Sequence, residues 1–309
     1  MKILTLKELI KNKEDTAVAI GFFDGIHTGH QAVIKKAVSY AKQNGLKSVV
    51  ITFNKRPKRV LRAALEDNYI TPIGPKLRIL EEMGVDYVLV QPFDASFLML
   101  TAKRFIDDYL VRICAKYVSI GFDFRFGHKG KGTPSDLIKT GKFIVEITEQ
   151  NQLSGTKISS TRIRQQLAQH NLQMVNEMLG RPFMVDGVVV KGKQLGRKLG
   201  FPTANVSIDP EQLLPLRGVY ATIFSVDNHS YLSMTNVGYN PTVGILKDVS
   251  IESHLFDFEG SLYDKRVTVA FVSKLRNEVQ FSGVEKLVKQ LEKDKVRAIK
   301  ELKLKGRLG

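Results

Sequence analysis

The segment GFFDGIHTGH, residues 21–30, lies between an apolar run at 17–20 and a helical pattern in which Val33, Ile34, Ala37, Val38 and Ala41 fall on one face. Strand, glycine turn and helix in that order open a crossover unit. The feature therefore commits the surrounding chain to a parallel sheet with helices packed against it. Such a turn aims the first amides of the helix at the crevice beside the sheet, where they favour an anion, a phosphate above all. His27 and His30, three apart at the helix start, can face one bound phosphate and donate hydrogen bonds that strengthen as charge develops on it. Two ordinary surface histidines are the plainer reading. Two of only six histidines at HxGH spacing on this junction favour the functional one.

The rhythm continues through the N-terminal half. Strands are expected at 16–21, 48–53, 87–91, 117–121 and 143–147, with helices at 29–43, 75–83, 102–115 and 134–140 between them. Ligands of such sheets bind beyond the carboxyl ends of the strands, where residues 21–30 would lie. Two further segments should converge there. GFDFRFGHKGKGT, residues 121–133, follows a strand and mixes glycines with aromatic and basic residues, as a mobile loop over a flat ligand does. ISSTRIRQQL, residues 158–167, offers Ser159, Ser160 or Thr161 as a helix N-cap with Arg162 and Arg164 in the first turn. Basic residues at a helix start oppose its dipole, which points to a compensating anion; a capped surface helix with incidental arginines is the alternative.

After a helical pattern at 172–179 the rhythm changes around Gly180, Arg181 and Pro182. Strands without intervening helices are expected at 183–190, 219–226, 231–237, 249–258 and 265–273. Only 284–302 has a helical period, with Val284, Leu287, Val288 and Leu291 on one face. This is the pattern of a compact β-barrel closed by a C-terminal helix, and it divides the chain into domains 1–182 and 183–309. The loop GKQLGRKLGFPTAN, residues 192–205, spaces glycines among Lys193, Arg197 and Lys198. Glycine backbone can wrap phosphates closely, and Thr203 and Asn205 supply oxygens suited to magnesium. A basic hairpin loop is the alternative. No GK[ST] Walker motif and no HRD or DFG kinase signature occurs.

Charge and cysteine usage narrow the class. The formal net charge of +16 suits polyanionic ligands, but the basic residues are spread and lack interleaved aromatics, so nucleic acid is not the expected partner. Cys114 is the only cysteine, which excludes an internal disulfide and a cysteine-based structural zinc site. No apolar run approaches the roughly 20 residues of a membrane helix, and the N-terminus lacks a secretory pattern; a cytoplasmic enzyme with small-molecule partners is expected. Nothing in the residues sets an oligomeric state.

GFFDGIHTGH, GFDFRFG and ISSTRIR in the first half, with GRPF, GRKLGFPTAN, RGVYA, NVGYNPT, IESHLFDF and LRNEVQF in the second, closely resemble the prokaryotic bifunctional riboflavin kinase/FMN adenylyltransferase family, or FAD synthetases. The resemblance covers essentially the whole chain. It implies a Rossmann-like α/β nucleotidyltransferase domain of HxGH type followed by a β-barrel riboflavin kinase domain. It also implies two reactions using ATP and Mg2+: phosphorylation of riboflavin to FMN, then adenylylation of FMN to FAD with release of pyrophosphate.

By the same resemblance Glu252 is the kinase base, Thr203 and Asn205 are magnesium-site residues, and His27, His30 and Arg164 act in adenylyl transfer. Nucleotide and flavin contacts are implied for Gly21, Phe23, Asp24, Gly25, Asp123, Phe126, Ser159, Ser160 and Thr161, and in the second domain for Gly192, Lys193, Gly196, Phe201, Pro202 and Arg276. The chain departs from the family at Phe22, usually asparagine; at Arg56 of FNKRP, usually histidine; and at Thr133, Ser253 and Ser261. A divergent paralogue keeping one activity, or a flavin- or nucleotide-binding regulator, are the other readings.

Overall fold

The computed structural model describes residues 1–54, 68–192, 194–239 and 249–305. Two compact units divide the chain, Met1–Ser160 and Thr161–Gly309.

In the first unit the secondary structure runs β1 (Lys2–Ile3), α1 (Leu6–Asn12), β2 (Thr16–Ile20), α2 (Thr28–Asn44), β3 (Lys47–Phe53), α3 (Ile73–Glu82), β4 (Tyr87–Gln91), α4 (Ala95–Leu98), α5 (Ala102–Phe105), β5 (Ala115–Gly121), α6 (Pro134–Lys139) and β6 (Ile144–Thr148). A two-stranded hairpin, β7 (Gln152–Leu153) and β8 (Thr156–Lys157), follows. The six strands β1 to β6 form one parallel sheet in the order β1-β4-β3-β2-β5-β6. Every residue of β2 is buried, as a central strand covered on both faces requires. From the sheet, Val18, Ile20, Val49, Ile51, Leu89, Ala115, Val118 and Ile120 enter a core shared with Phe105, Leu110 and Ile113, among others.

The chain leaves β2 toward β3 and β4 on one side, and returns to β5 and β6 on the other. The reversal falls between the neighbours β2 and β5, so the turn after β2 and the loop after β5 flank one crevice at the carboxyl ends. The expected helix over 102–115 is shorter than its periodicity implied. It continues from α5 as a wide turn only to Val111, and Cys114 adopts a left-handed φ of 53° that releases the chain into β5.

The second unit opens with α7 (Ser160–Ala168), whose first residue closes the first unit, and α8 (Leu172–Leu179). The side chain of Asn176 on α8 donates to the Phe271 and Val272 carbonyls and accepts from the Phe183 amide. Then come β9 (Phe183–Val190), α9 (Leu195–Lys198), β10 (Ala204–Ile208), β11 (Gly218–Val226), β12 (His229–Tyr239), β13 (Val249–Leu255), β14 (Arg266–Arg276) and α10 (Val284–Lys305). The six strands close into an antiparallel barrel in the order β10-β13-β12-β11-β14-β9. The segment read as a loop over 192–205 instead contains the helical turn α9, and its last two residues begin β10, which pairs with both β9 and β13. Helix α10 packs on the barrel through Leu291, Ala298, Ile299 and Leu302, while Val284, expected on the same face, is 60% exposed at the helix start.

Candidate active sites

The turn after β2 is held in a conformation its side chains resist. Phe23 and Ile26 adopt left-handed φ values of 52° and 38°, and Gly25 one of 87°. Bulky and β-branched residues avoid that region, so the surroundings must impose it. The Gly21 amide donates to the Ile51 carbonyl at 3.1 Å. The Phe22 carbonyl accepts twice, from the Thr52 hydroxyl at 3.0 Å and from the Lys76 ammonium at 2.8 Å. Asp24 is buried; its carboxylate accepts from the Thr71 amide at 3.2 Å and its carbonyl from the Ser160 hydroxyl at 2.9 Å.

His27 is the N-cap of α2. Its Nδ1 accepts the His30 amide at 3.3 Å, which assigns the proton of the neutral ring to Nε2. The ring stacks on His30, 3.6 Å between centroids and 19° between planes, and Phe23 meets His30 edge-on at 5.4 Å. A Cβ on Gly29 would stand 3.2 Å from His27 Nδ1, so the glycine of HxGH leaves room for the stack. Burial pushes His27 down to about 4, against the opposing pull of the Asp24 and Asp123 carboxylates. Burial, with His27 and Lys76 nearby, holds His30 well below its ordinary value. Both rings are therefore neutral hydrogen-bonding groups near pH 7. His30 Nδ1 and Thr28 Oγ1 are buried with no hydrogen-bond partner among the described residues, at the helix end where an anion is favoured.

The remaining expected residues are distributed as follows. Asp123 follows β5 and pairs with Lys157 at 2.6 Å, while Lys157 also covers the Phe122 ring at 4.4 Å. Phe126 packs in the core against Phe105, ring centroids 5.2 Å apart. Thr133 caps α6, its hydroxyl and amide both donating to Asp136. Ser159 is half-buried just before α7, and exposed Thr161 and half-buried Arg164 follow Ser160 on that helix within the second unit. Arg56 lies outside the described residues. Lys76, Thr52 and Thr71 were not legible as site residues; a buried lysine on a helix has no signature in a single sequence.

In the second unit strand register assembles the site. Asn205 of β10 lies opposite Glu252 of β13, Glu252 opposite Asn236 of β12, Asn236 opposite Val219 of β11, and Val219 opposite Arg276 of β14. Directly paired residues share a face of a sheet, so four polar side chains form one transverse row on the barrel. Glu252, Asn236, Val219 and Arg276 line a cavity of about 300 Å³ whose other wall includes Leu287 and Leu291 of α10. Gly196, Phe201 and Thr203 also face this cavity. Lys193 lies outside the described residues.

Supporting contacts fix the row. A Cβ on Gly192 would overlap the Asn205 amide, so the glycine permits that close packing. His254 Nδ1 lies 2.8 Å from the Pro202 carbonyl, and its ring meets Phe201 at 5.2 Å, which ties the Phe201-Pro202 segment to β13. Arg276 Nε donates to Asp294 at 2.8 Å, and Gln290 donates to the other oxygen of that buried carboxylate at 2.8 Å. Within the barrel wall, Thr222 bonds Ser233 and Thr235 at 2.7 Å each, and Thr235 bonds Ser253 at 2.8 Å. Asn236, His254 and Asp294 had no distinguishing signal in the sequence; alternation within β13 puts His254 on the Glu252 face, but Asn236 joins that face only once the strand pairing is known.

Comparison with known proteins matches each unit. The family model described as FAD synthetase matches residues 9–162 and that described as riboflavin kinase matches residues 179–302. A protein of Listeria monocytogenes named bifunctional riboflavin kinase/FMN adenylyltransferase is 39% identical, over 95% of this chain and 96% of its own length. Its namesake in Bacillus subtilis is 38% identical over 94% of each. A crystal structure of a protein from Streptococcus pneumoniae, described as a macrolide-efflux protein, superposes with a TM-score of 0.87 at 33% identity, covering 95% of this chain and 97% of that one. Among the described residues, no helix is long and apolar enough to cross a membrane. The histidine stack, the barrel row and these full-length relatives agree: the chain belongs to the bifunctional riboflavin kinase/FMN adenylyltransferase family.

Proposed function

We propose that the turn at residues 21–30, with Ser160, is the site of FMN adenylylation, and that the row formed by Asn205, Glu252, Asn236 and Arg276 is the site of riboflavin phosphorylation. The chain is a bifunctional transferase that converts riboflavin to FMN and FMN to FAD, with ATP as co-substrate in both steps. The assignment rests on one coincidence: the FAD synthetase match covers the histidine stack, and the riboflavin kinase match covers the barrel row.

In adenylylation an FMN phosphate oxygen attacks the α-phosphorus of ATP and pyrophosphate leaves, so the protein has to align two anions and neutralise charge as it develops. His27 Nε2–H, the ring of His30 and the first amides of α2 supply aligned donors for that charge. Gly21, Phe23, Asp24, Gly25, Asp123 and Ser159 shape the nucleotide site, with Phe126 bracing the loop after β5 from the core.

In phosphorylation Glu252 takes the proton of the riboflavin 5′-hydroxyl as that oxygen attacks the γ-phosphorus of ATP, the bond to the β,γ-bridging oxygen breaks, and ADP leaves. Asn236 and Arg276 orient the reactants, and Phe201, Pro202, Gly192, Lys193 and Gly196 enclose them. No group of three or more histidine, cysteine or acidic side chains among the described residues is arranged to hold a metal. The hydroxyl of Thr203 and the amide oxygen of Asn205 suit Mg2+, which favours hard oxygen donors and completes its shell with phosphate oxygens and water. When bound, Mg2+ offsets the charge of the transferring phosphates. Dependence on ATP supports a cytoplasmic location.

Purified protein given riboflavin, ATP and Mg2+ is expected to yield FMN and then FAD on chromatography, and excess EDTA is expected to stop the first conversion. In Asn205→Ala the Mg2+ concentration for half-maximal riboflavin phosphorylation is expected to rise about tenfold or more. An unchanged requirement would remove Asn205 from the metal site.

A further inference from the structure

The Phe22 carbonyl is anchored twice, and the two anchors differ. Thr52 reaches it from the end of β3 with a neutral hydroxyl. Lys76 reaches it from α3 with an ammonium that is buried, the side chain being 2% exposed. Burying a lysine is expensive, and the charge is retained only where the surroundings compensate it. Here the compensation comes in part from the turn itself, through the carbonyl at 2.8 Å and through the face of the Phe22 ring, 4.4 Å from Nζ. Phe22 is in turn flanked by Tyr69, with 6.2 Å between ring centroids. The peptide that Lys76 grips leads directly into left-handed Phe23, and from there to the His27–His30 stack.

We propose that Lys76 is a positioning residue for adenylyl transfer: by holding the Phe22 carbonyl, it aims the amides and histidines that follow at the ATP phosphates, with the Phe22 ring retaining the ammonium. The Phe22 ring supplies the retention that makes this clamp work. The inference rests on the reading of residues 21–30 as the adenylylation site.

The full-length chain carries its own control, since riboflavin phosphorylation by the same preparation reports on the second unit. Lys76→Met keeps length and loses charge. It is expected to raise the KM for ATP in FMN adenylylation about tenfold and to lower kcat about tenfold, with riboflavin phosphorylation within about twofold of the parent. Lys76→Arg is expected to recover part of the KM effect. In ring-labelled protein the His30 resonance of Lys76→Met is expected to titrate at higher pH than in the parent, because a neighbouring cation is gone. Phe22→Leu keeps the carbonyl and the bulk, removes the π face, and is expected to raise the KM for ATP about threefold.

An unchanged KM for ATP in both Lys76→Met and Phe22→Leu, with kcat falling only as far as the folded fraction falls, would overturn the proposal. Should His27→Ala and His30→Ala leave FAD formation intact, the site reading itself would fail. If those variants abolish it while Lys76→Met does not alter it, only the role of Lys76 fails.

Discussion

At the scale of single residues, protonation of the stacked imidazoles works against the fold. An unfolded histidine titrates near 6.5, whereas burial pushes His27 in the folded chain down to about 4. Between those values the unfolded state binds more protons than the folded one, so stability is full above pH 6.5 and falls as the pH drops toward 4. For His27 the loss reaches about 3 kcal/mol at the acid end, and His30 shifts in the same direction. Thermal melting of the first unit is therefore expected to weaken from pH 7 to 4.5, and His27→Gln is expected to flatten that slope. An identical slope in the variant would place the acid sensitivity elsewhere. A bound phosphate should oppose the same loss, since an anion at Nε2 favours the protonated ring.

At the scale of elements, the ladder Ser233–Thr222–Thr235–Ser253 crosses β11, β12 and β13 directly behind Glu252 and Asn236. All four side chains are buried. Replacing Thr235 by the isosteric valine breaks two of these bonds and leaves buried hydroxyls short of partners, at a cost of about 1–3 kcal/mol. Chemical denaturation followed through the barrel is expected to show that loss for Thr235→Val, together with slower riboflavin phosphorylation and unaltered FMN adenylylation. A variant as stable as its parent would mean the ladder is redundant. Ser253 supplies the last hydroxyl of the ladder.

Much at this scale was written in local pattern. The apolar runs of β2 and β3 gave their strands within a residue, β4, α8 and β9 were read with their observed bounds, and HxGH marked the start of α2 because capping is local chemistry. What failed to show is what depends on distant partners. Strand β10 was hidden in a glycine- and lysine-rich segment because its alternation is short, and pairing with β9 and β13 stabilises it. Helix α1 carries the capping box of Thr5 and Glu8, a signal that is local but too short to define a helix by itself. Lys76 and Asp294 are ordinary charged residues of helices until the fold brings them against a turn and an arginine.

At the scale of the whole molecule, one chain holds two phosphate chemistries on two architectures, a parallel sheet whose topological reversal opens a crevice and a closed barrel whose register lines up a polar row. Neither site draws its central residues from the other unit: the histidine stack lies within Met1–Ser160, and Glu252 with its row lies within Thr161–Gly309. The two reactions should therefore be separable by substitution.

The decisive measurement is chromatography of products from Glu252→Gln and from the His27→Ala/His30→Ala double variant, each supplied with ATP and Mg2+ and either riboflavin or FMN. The Glu252 variant is predicted to leave riboflavin unchanged, by a factor of about a hundred or more, while converting FMN to FAD normally, and the histidine variant to convert riboflavin to FMN and stop there. FAD formed from FMN at the parental rate by the histidine variant, or FMN formed from riboflavin at the parental rate by the Glu252 variant, would contradict the assignment of one reaction to each unit.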